Sequence, residues 1–180
     1  MIQMKYTRPS LILLVMFLPL NGTATQAQGT RAVGATNRAN ALRTLKGCST
    51  RPVTLGCSED TAQYLIGLYD HGDQALLTPL LDAGMASDGA LSESLGNFYA
   101  KVLWKASRTF LAALYVRPLA EQRHLSRMAG ATDGSGMPPK VLHDVRRTLC
   151  ETSSQRGWLS SVARICLAEV NRANASEKRL

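Results

Sequence analysis

LSESLGNFYAKVLW, residues 91 to 104, places apolar side chains at Leu91, Leu95, Phe98, Tyr99, Val102 and Leu103. Steps of three and four draw one broad stripe along an α-helix, wide enough to pack against more than one neighbour. Phe98, Tyr99 and Trp104 add the aromatic weight of a core anchor. The run therefore predicts a central helix with partners on either side of it in the chain.

The flanking segments repeat the period. On the N-terminal side, Asn40–Lys46 reads as a short helix stopped at Gly47. Ser58 is placed to cap a helix with Glu59 and Asp60 in its first turn and Tyr64, Leu65, Leu68 and Tyr69 inward. His71-Gly72 ends that helix, and Asp73 caps the next, whose stripe is Leu76, Leu77, Leu80 and Leu81. Pro79 inside this stripe predicts either a kink or a restart with Thr78 as cap. Gly84 closes it and Asp88 caps the central helix.

On the C-terminal side, Ser107 caps a helix bearing Phe110, Leu111 and Leu114. Another opens at Pro118 with Leu119, Leu125 and Met128 inward and Gly130 as its stop. Ala131–Met137 is a loop. Pro138-Pro139 starts a helix with Val141, Leu142, Val145 and Leu149, broken at Ser154 or Gly157, and the last carries Trp158, Leu159, Val162, Cys166 and Val170. Period-two alternation rich in β-branched residues is missing throughout. The expected class is all-α: seven or eight helices packed as antiparallel hairpins, an irregular bundle or a short α–α stack.

The first 27 residues have another character. Lys5 and Arg8 precede the apolar run Leu11–Leu20, and a polar stretch then ends in the small residues Thr25 and Ala27. This is the layout of a secretory signal, with an apolar run shorter than the ~20 residues of a membrane span. Its removal would leave 153 of the 180 residues, one ordinary domain. We expect a signal peptide over 1–27, a flexible lead-in over 28–39, a helical domain over 40–173 and a disordered tail over 174–180. The location is then periplasmic or secreted.

Export gives the four cysteines, Cys48, Cys57, Cys150 and Cys166, the reading of two disulfides. Of the three pairings, proximity in sequence favours Cys48–Cys57 and Cys150–Cys166. Their spacing and the lack of a nearby histidine argue against zinc, and no cofactor motif is present.

Charge is segregated along the chain. Residues 28–51 hold five basic side chains and no acid, residues 52–100 hold seven acids and no base, and from Lys101 onward there are fourteen basic residues against six acids. The formal net charge is +8. Such a surplus suits an anionic partner, and for an exported chain that means an envelope polymer rather than nucleic acid. Lys140, Arg146, Arg147, Arg156, Arg164 and Arg172, with Trp158 as an aromatic platform, make the candidate surface. The plainer alternative is that the acidic and basic segments lie against each other in the fold.

Asp70-His71-Gly72-Asp73 is the densest polar cluster: two carboxylates and an imidazole able to share a cation or act as an acid/base pair. Helix ends also explain them, Asp73 as an N-cap and His71 at a C-terminus. His124, His143 and Ser135 complete a hydrolytic set only on paper, without a GxSxG or HExxH motif. Asn174-Ala-Ser176 fits a glycosylation sequon.

From His71 to Leu103, a proline-containing first helix, an aspartate-capped turn and a longer amphipathic second helix resemble a HEAT-like helical hairpin. The resemblance covers 33 residues. It implies a small right-handed stack of antiparallel pairs that binds protein or peptide on one face, and it carries over no chemistry. The leading functional expectation is a non-enzymatic exported interaction domain. The alternatives are a small envelope hydrolase or metal-dependent enzyme centred on His71, and a binder of anionic polymers.

Overall fold

The computed structural model describes residues 37–47, 59–132, 134 and 136–176. The expected signal peptide, Cys48, Cys57, Ser58 and Ser135 lie outside the described residues. Those that are described are all-helical, without a strand among them. Helix α1 spans 37–47, and α2 is Glu59–Asp70. A 3-10 turn, Gln74–Leu76, leads into α3, Leu77–Gly84. Then come α4 (Gly89–Lys105), α5 (Ser107–Tyr115), α6 (Leu119–Ala131), α7 (Pro139–Ser154) and α8 (Leu159–Ser176). None is long and apolar enough to cross a membrane.

The reading of α4 holds in detail. Leu91, Leu95, Phe98, Tyr99, Val102 and Leu103 are all buried, and so are the small residues Ser94, Gly96 and Ala100 between them. A helix buried this widely needs several partners, and α4 packs on α2, α3, α5, α6 and α7. An aromatic chain threads the first of these contacts. Tyr69 of α2 meets Phe98 edge-on at 5.1 Å, Phe98 lies 5.8 Å from Tyr99, and Tyr99 lies 6.3 Å from Phe110 of α5. Each such pair adds about 0.5–1.5 kcal/mol beyond the area it buries. The Tyr99 hydroxyl donates to the Leu80 carbonyl oxygen at 2.6 Å, so its one polar atom is satisfied inside the core. Trp104, expected as an anchor, is 43% exposed instead. It falls on the face of Asn97 and Lys101, one position past the buried stripe.

The even-numbered helices pack in succession, α2 on α4, α4 on α6 and α6 on α8, with α7 against α8 and α5 against both α4 and α8. The α6–α8 contact is the most extensive, and glycine permits it. A Cβ on Gly130 would stand 2.9 Å from Val170 Cα and 3.0 Å from Ala173 Cβ. Asn174 then locks the seam. Its buried amide donates to the carbonyls of Gly130 and Val170, and its oxygen accepts from the Met137 N–H. The expected tail is therefore partly structural: α8 runs on to Ser176, and Asn174 is too buried to serve as a glycosylation acceptor.

Helix ends follow the sequence in part. After α2, Gly72 adopts φ +107°, while its N–H bonds Tyr69 O and that of Asp73 bonds Leu68 O, a paired closure that only a left-handed residue allows. Asp73 and Asp88 occupy N-cap positions, but neither side chain caps; the Asp73 carboxylate goes to Arg38. The helix does restart, but at Leu77 with Leu76 rather than Thr78 at the N-cap position, so Pro79 lies inside the first turn of α3. Leu119, expected inside, is 49% exposed because it opens α6 before that helix meets its neighbours.

The expected Cys150–Cys166 bridge is not formed, so the described helices carry no disulfide staple. Both thiols are free: Cys150 faces solvent on α7, while Cys166 is fully buried on the inner face of α8. Removal from water pushes the Cys166 thiol up to about 12, against a small opposing effect of Ser126. Ser126 Oγ itself is buried with no conventional partner, its neighbour being this thiol, a weak acceptor. Packing, not a covalent link, holds α7 to α8.

Candidate functional site

The Asp70-His71-Asp73 cluster does not act as a unit. The Lys101 ammonium reaches Asp70 at 2.5 Å from α4. His71 Nδ1 donates to the Gly67 carbonyl of its own helix at 2.7 Å, in an exposed position. Asp73 takes the Arg38 guanidinium of α1 through two contacts, 2.5 and 3.2 Å, and this bond holds its carboxyl below the usual carboxylate range. The cavity beside Asp70 is lined by Tyr69, Gln74, Lys101 and Lys105 but by neither His71 nor Asp73. His124 Nε2 bonds the Gly84 carbonyl at 3.1 Å, and exposed His143 sits 3.7 Å from Asp144. Among the described residues no group of three or more His, Cys, Asp or Glu is placed to hold a metal.

Three of the seven acids of the window, Asp70, Asp73 and Asp82, are answered from outside it. Besides Arg38 and Lys101, Arg117 ties the turn before α6 onto α3, donating to Asp82 at 2.6 Å and to the Thr78 carbonyl at 3.4 Å while pairing with Glu121 at 3.1 Å. Each pair keeps at least one partner partly exposed, so each is worth at most about 1 kcal/mol. Their main effect is to set three of the seven acids of residues 52–100 against basic residues from either side. That is the plainer of the two readings of the charge pattern.

The basic surplus left over gathers elsewhere. On α8, Ser160, Arg164, Ala168 and Arg172 follow at intervals of four, a single outward stripe, with Arg156 just before the helix. Beside it on α6 stand Arg123 and Arg127, again four apart. Together Arg123, Arg127, Arg164 and Arg172 line an α6–α8 cleft of about 420 Å³ floored by Ile165 and Ala168. One acid enters it, Glu169, which is 3% exposed. Arg127 donates to Glu169 twice, at 3.0 and 3.1 Å, and Arg172 at 2.6 and 2.7 Å, so one buried carboxylate holds two guanidiniums upright at the rim. Three positive charges remain in excess. From Ser160 to Arg172 the stripe covers about 18 Å at 1.5 Å per residue.

At its upstream end the stripe meets a second cavity, about 260 Å³, enclosed by the start of α5, the end of α7 and the start of α8. Arg108, Arg156, Trp158, Thr152, Gln155 and Ser160 are among its walls, and no acid is. Trp158, read in sequence as an aromatic platform, is 49% exposed and meets Tyr115 of α5 with ring centroids 4.9 Å apart. Seven large hydrophobic residues are exposed among those described; Tyr115 and Trp158 touch here, and Val116 and Leu119 follow Tyr115 at the α5–α6 junction.

Of the expected surface, Arg156, Trp158, Arg164 and Arg172 join this arrangement. Lys140, Arg146 and Arg147 do not line either cavity. Arg146 bonds Asn171 at 2.6 Å and Arg147 bonds Asp144 at 3.4 Å. Arg108, Arg123, Arg127 and Tyr115 were missed in sequence. The i,i+4 arginine pair on α6 was a legible signal, but its facing partner lay some forty residues away.

No protein-family model matches the chain, and neither the curated proteins nor the solved structures compared with it give a match.

Proposed function

We propose that this is an exported, non-catalytic helical domain that binds an anionic linear polymer of the cell envelope along the α6–α8 cleft. The observation that carries the reading is the row Arg123, Arg127, Arg164 and Arg172 around a single, already neutralised acid. Guanidiniums oriented by Glu169 present fixed donors to carboxylate or phosphate groups at lower entropic cost than free side chains. A charged row about 12 Å long from Arg164 to Arg172, with Arg123 and Arg127 beside it, suits a chain with repeated charges better than a small metabolite. The succession α2, α4, α6, α8 also fits a short α–α stack, an architecture that offers such elongated grooves.

The test is binding of the full chain to polygalacturonate, with dextran as the neutral control, across a salt series. Affinity should fall steeply past ~0.15 M salt, where screening is strong. Arg123→Glu with Arg127→Glu and Arg164→Glu should cost on the order of tenfold or more. Reversing Lys140, Arg146 and Arg147, equal in charge but outside the cleft, should cost far less. Equal losses for the two triple variants would overturn the reading. Binding that ignores salt and fails with Val116→Asp would instead assign a protein partner to the exposed apolar end.

A further inference from the structure

We infer that the cavity between the starts of α5 and α8 is a subsite for one anionic pyranose ring, the unit from which an acidic envelope polymer is built. The inference rests on the polymer reading for its biological setting, but the site has its own chemistry. Arg108 and Arg156 line it and make no hydrogen bond or ion pair among the described residues, whereas Arg38, Arg117, Arg127, Arg146, Arg147 and Arg172 all have side-chain partners. Two uncommitted guanidiniums with no acid in the same wall select an anion and reject a cation.

The rest of the wall selects what carries that anion. Trp158 offers a half-exposed indole, steadied by the ring of Tyr115, against which the C–H face of a sugar packs. The Thr152 hydroxyl donates to the Thr148 carbonyl at 2.8 Å, and that of Ser160 to the Gly157 carbonyl at 2.8 Å. With their protons committed, both oxygens are left as acceptors for ligand hydroxyls. Gln155, which makes no side-chain hydrogen bond among the described residues, adds a donor and an acceptor on one side chain. An apolar ligand would strand these groups, and a bare anion would leave the indole without use. The volume, about 260 Å³, lies just below the roughly 300–1,000 Å³ typical of drug-sized ligands, which fits a single ring.

Trp158 itself reports occupancy. In a Trp104→Phe background it is the only tryptophan left, and its emission can be followed as the full chain is titrated with glucuronate, glucose 6-phosphate, glucose and inorganic phosphate. Saturable binding of glucuronate or of glucose 6-phosphate, at least about tenfold tighter than glucose, is expected, and the stronger of the two identifies the charge as carboxylate or phosphate. Arg108→Ala with Arg156→Ala should abolish that preference. Lys140→Ala with Arg147→Ala, outside both cavities, should leave it unchanged. Trp158→Ala, followed by calorimetry with circular dichroism as the folding control, should lose binding of the ring. Glucose binding as tightly as glucuronate, or phosphate alone matching both sugars, would overturn the assignment. Polygalacturonate that binds while neither anionic sugar does would overturn this subsite alone. A sugar that binds while the polymer does not would overturn only the polymer reading.

Discussion

Gly130→Ala tests the α6–α8 seam most directly, and the structure sets the size of the effect. The added methyl would lie 2.9 Å from Val170 Cα, 3.0 Å from Ala173 Cβ and 3.3 Å from Val170 O. Carbon atoms rest at about 3.5–4.0 Å, so the helices must separate by roughly 0.6 Å. Backbone atoms supply the closest contact, and no rotamer change can relieve it. Forced overpacking of this kind costs about 1–3 kcal/mol. The same shift stretches the 3.0 Å bond from Asn174 to the Gly130 carbonyl, which is worth about 1 kcal/mol. Against this, alanine gains about 1 kcal/mol over glycine in helix propensity. The net loss should be about 1–3 kcal/mol, a fall in Tm of some 3–9 °C for a domain of this size. Gly67→Ala is the matched control. Gly67 sits inside α2 with nothing within 4 Å of the added methyl, so only the propensity gain should appear, up to about 1 kcal/mol. Thermal melts followed by circular dichroism check both. A Gly130→Ala protein as stable as the parent, or two substitutions shifting Tm in the same direction, would refute the close-packed seam.

Two further outcomes follow from the buried thiol and the Arg38–Asp73 pair. A thiol reagent applied to the native protein should label Cys150 within minutes and leave Cys166 unmodified until denaturant is added, as read by peptide mass mapping; labelling of both at similar rates would contradict the burial of α8. The Asp73 carboxyl is held below its ordinary value by Arg38, so the pair stabilises the fold above the unfolded value, about pH 4, and is lost as pH falls through the folded one. Amide exchange in α1 should therefore accelerate in acid relative to α6, and Asp73→Asn should remove that pH dependence.

What could be read from sequence was what local periodicity encodes. The α4 stripe, the Gly72 stop and the inward faces of α7 and α8 follow from steps of three and four along one helix. Which faces meet is not a local property. Arg123 and Arg127 looked like ordinary surface charges on α6 until α8 brought Arg164 and Arg172 beside them. Tyr115 and Trp158 are likewise joined only by the packing of α5 on α8. The cysteines misled for a related reason. Spacing shows how far apart two residues are along the chain, but Cys150 and Cys166 sit on surfaces that point in different directions, one to solvent and one to the core. The Asp70–Asp73 cluster was dense in sequence for a mundane reason: a helix end concentrates polar side chains, and α1 and α4 then claim them one by one.

The clasp formed by Asn174 has a consequence for the order of assembly. Chains are made from the N-terminus, and the residue that fastens the loop before α7 to the seam comes after every other helix has been produced. Helices α2 to α5 can settle around α4 early, whereas α6 must wait with one apolar side uncovered until the last turns of α8 arrive. The arginine row, shared between α6 and α8, therefore comes into being only in the closing moments of folding.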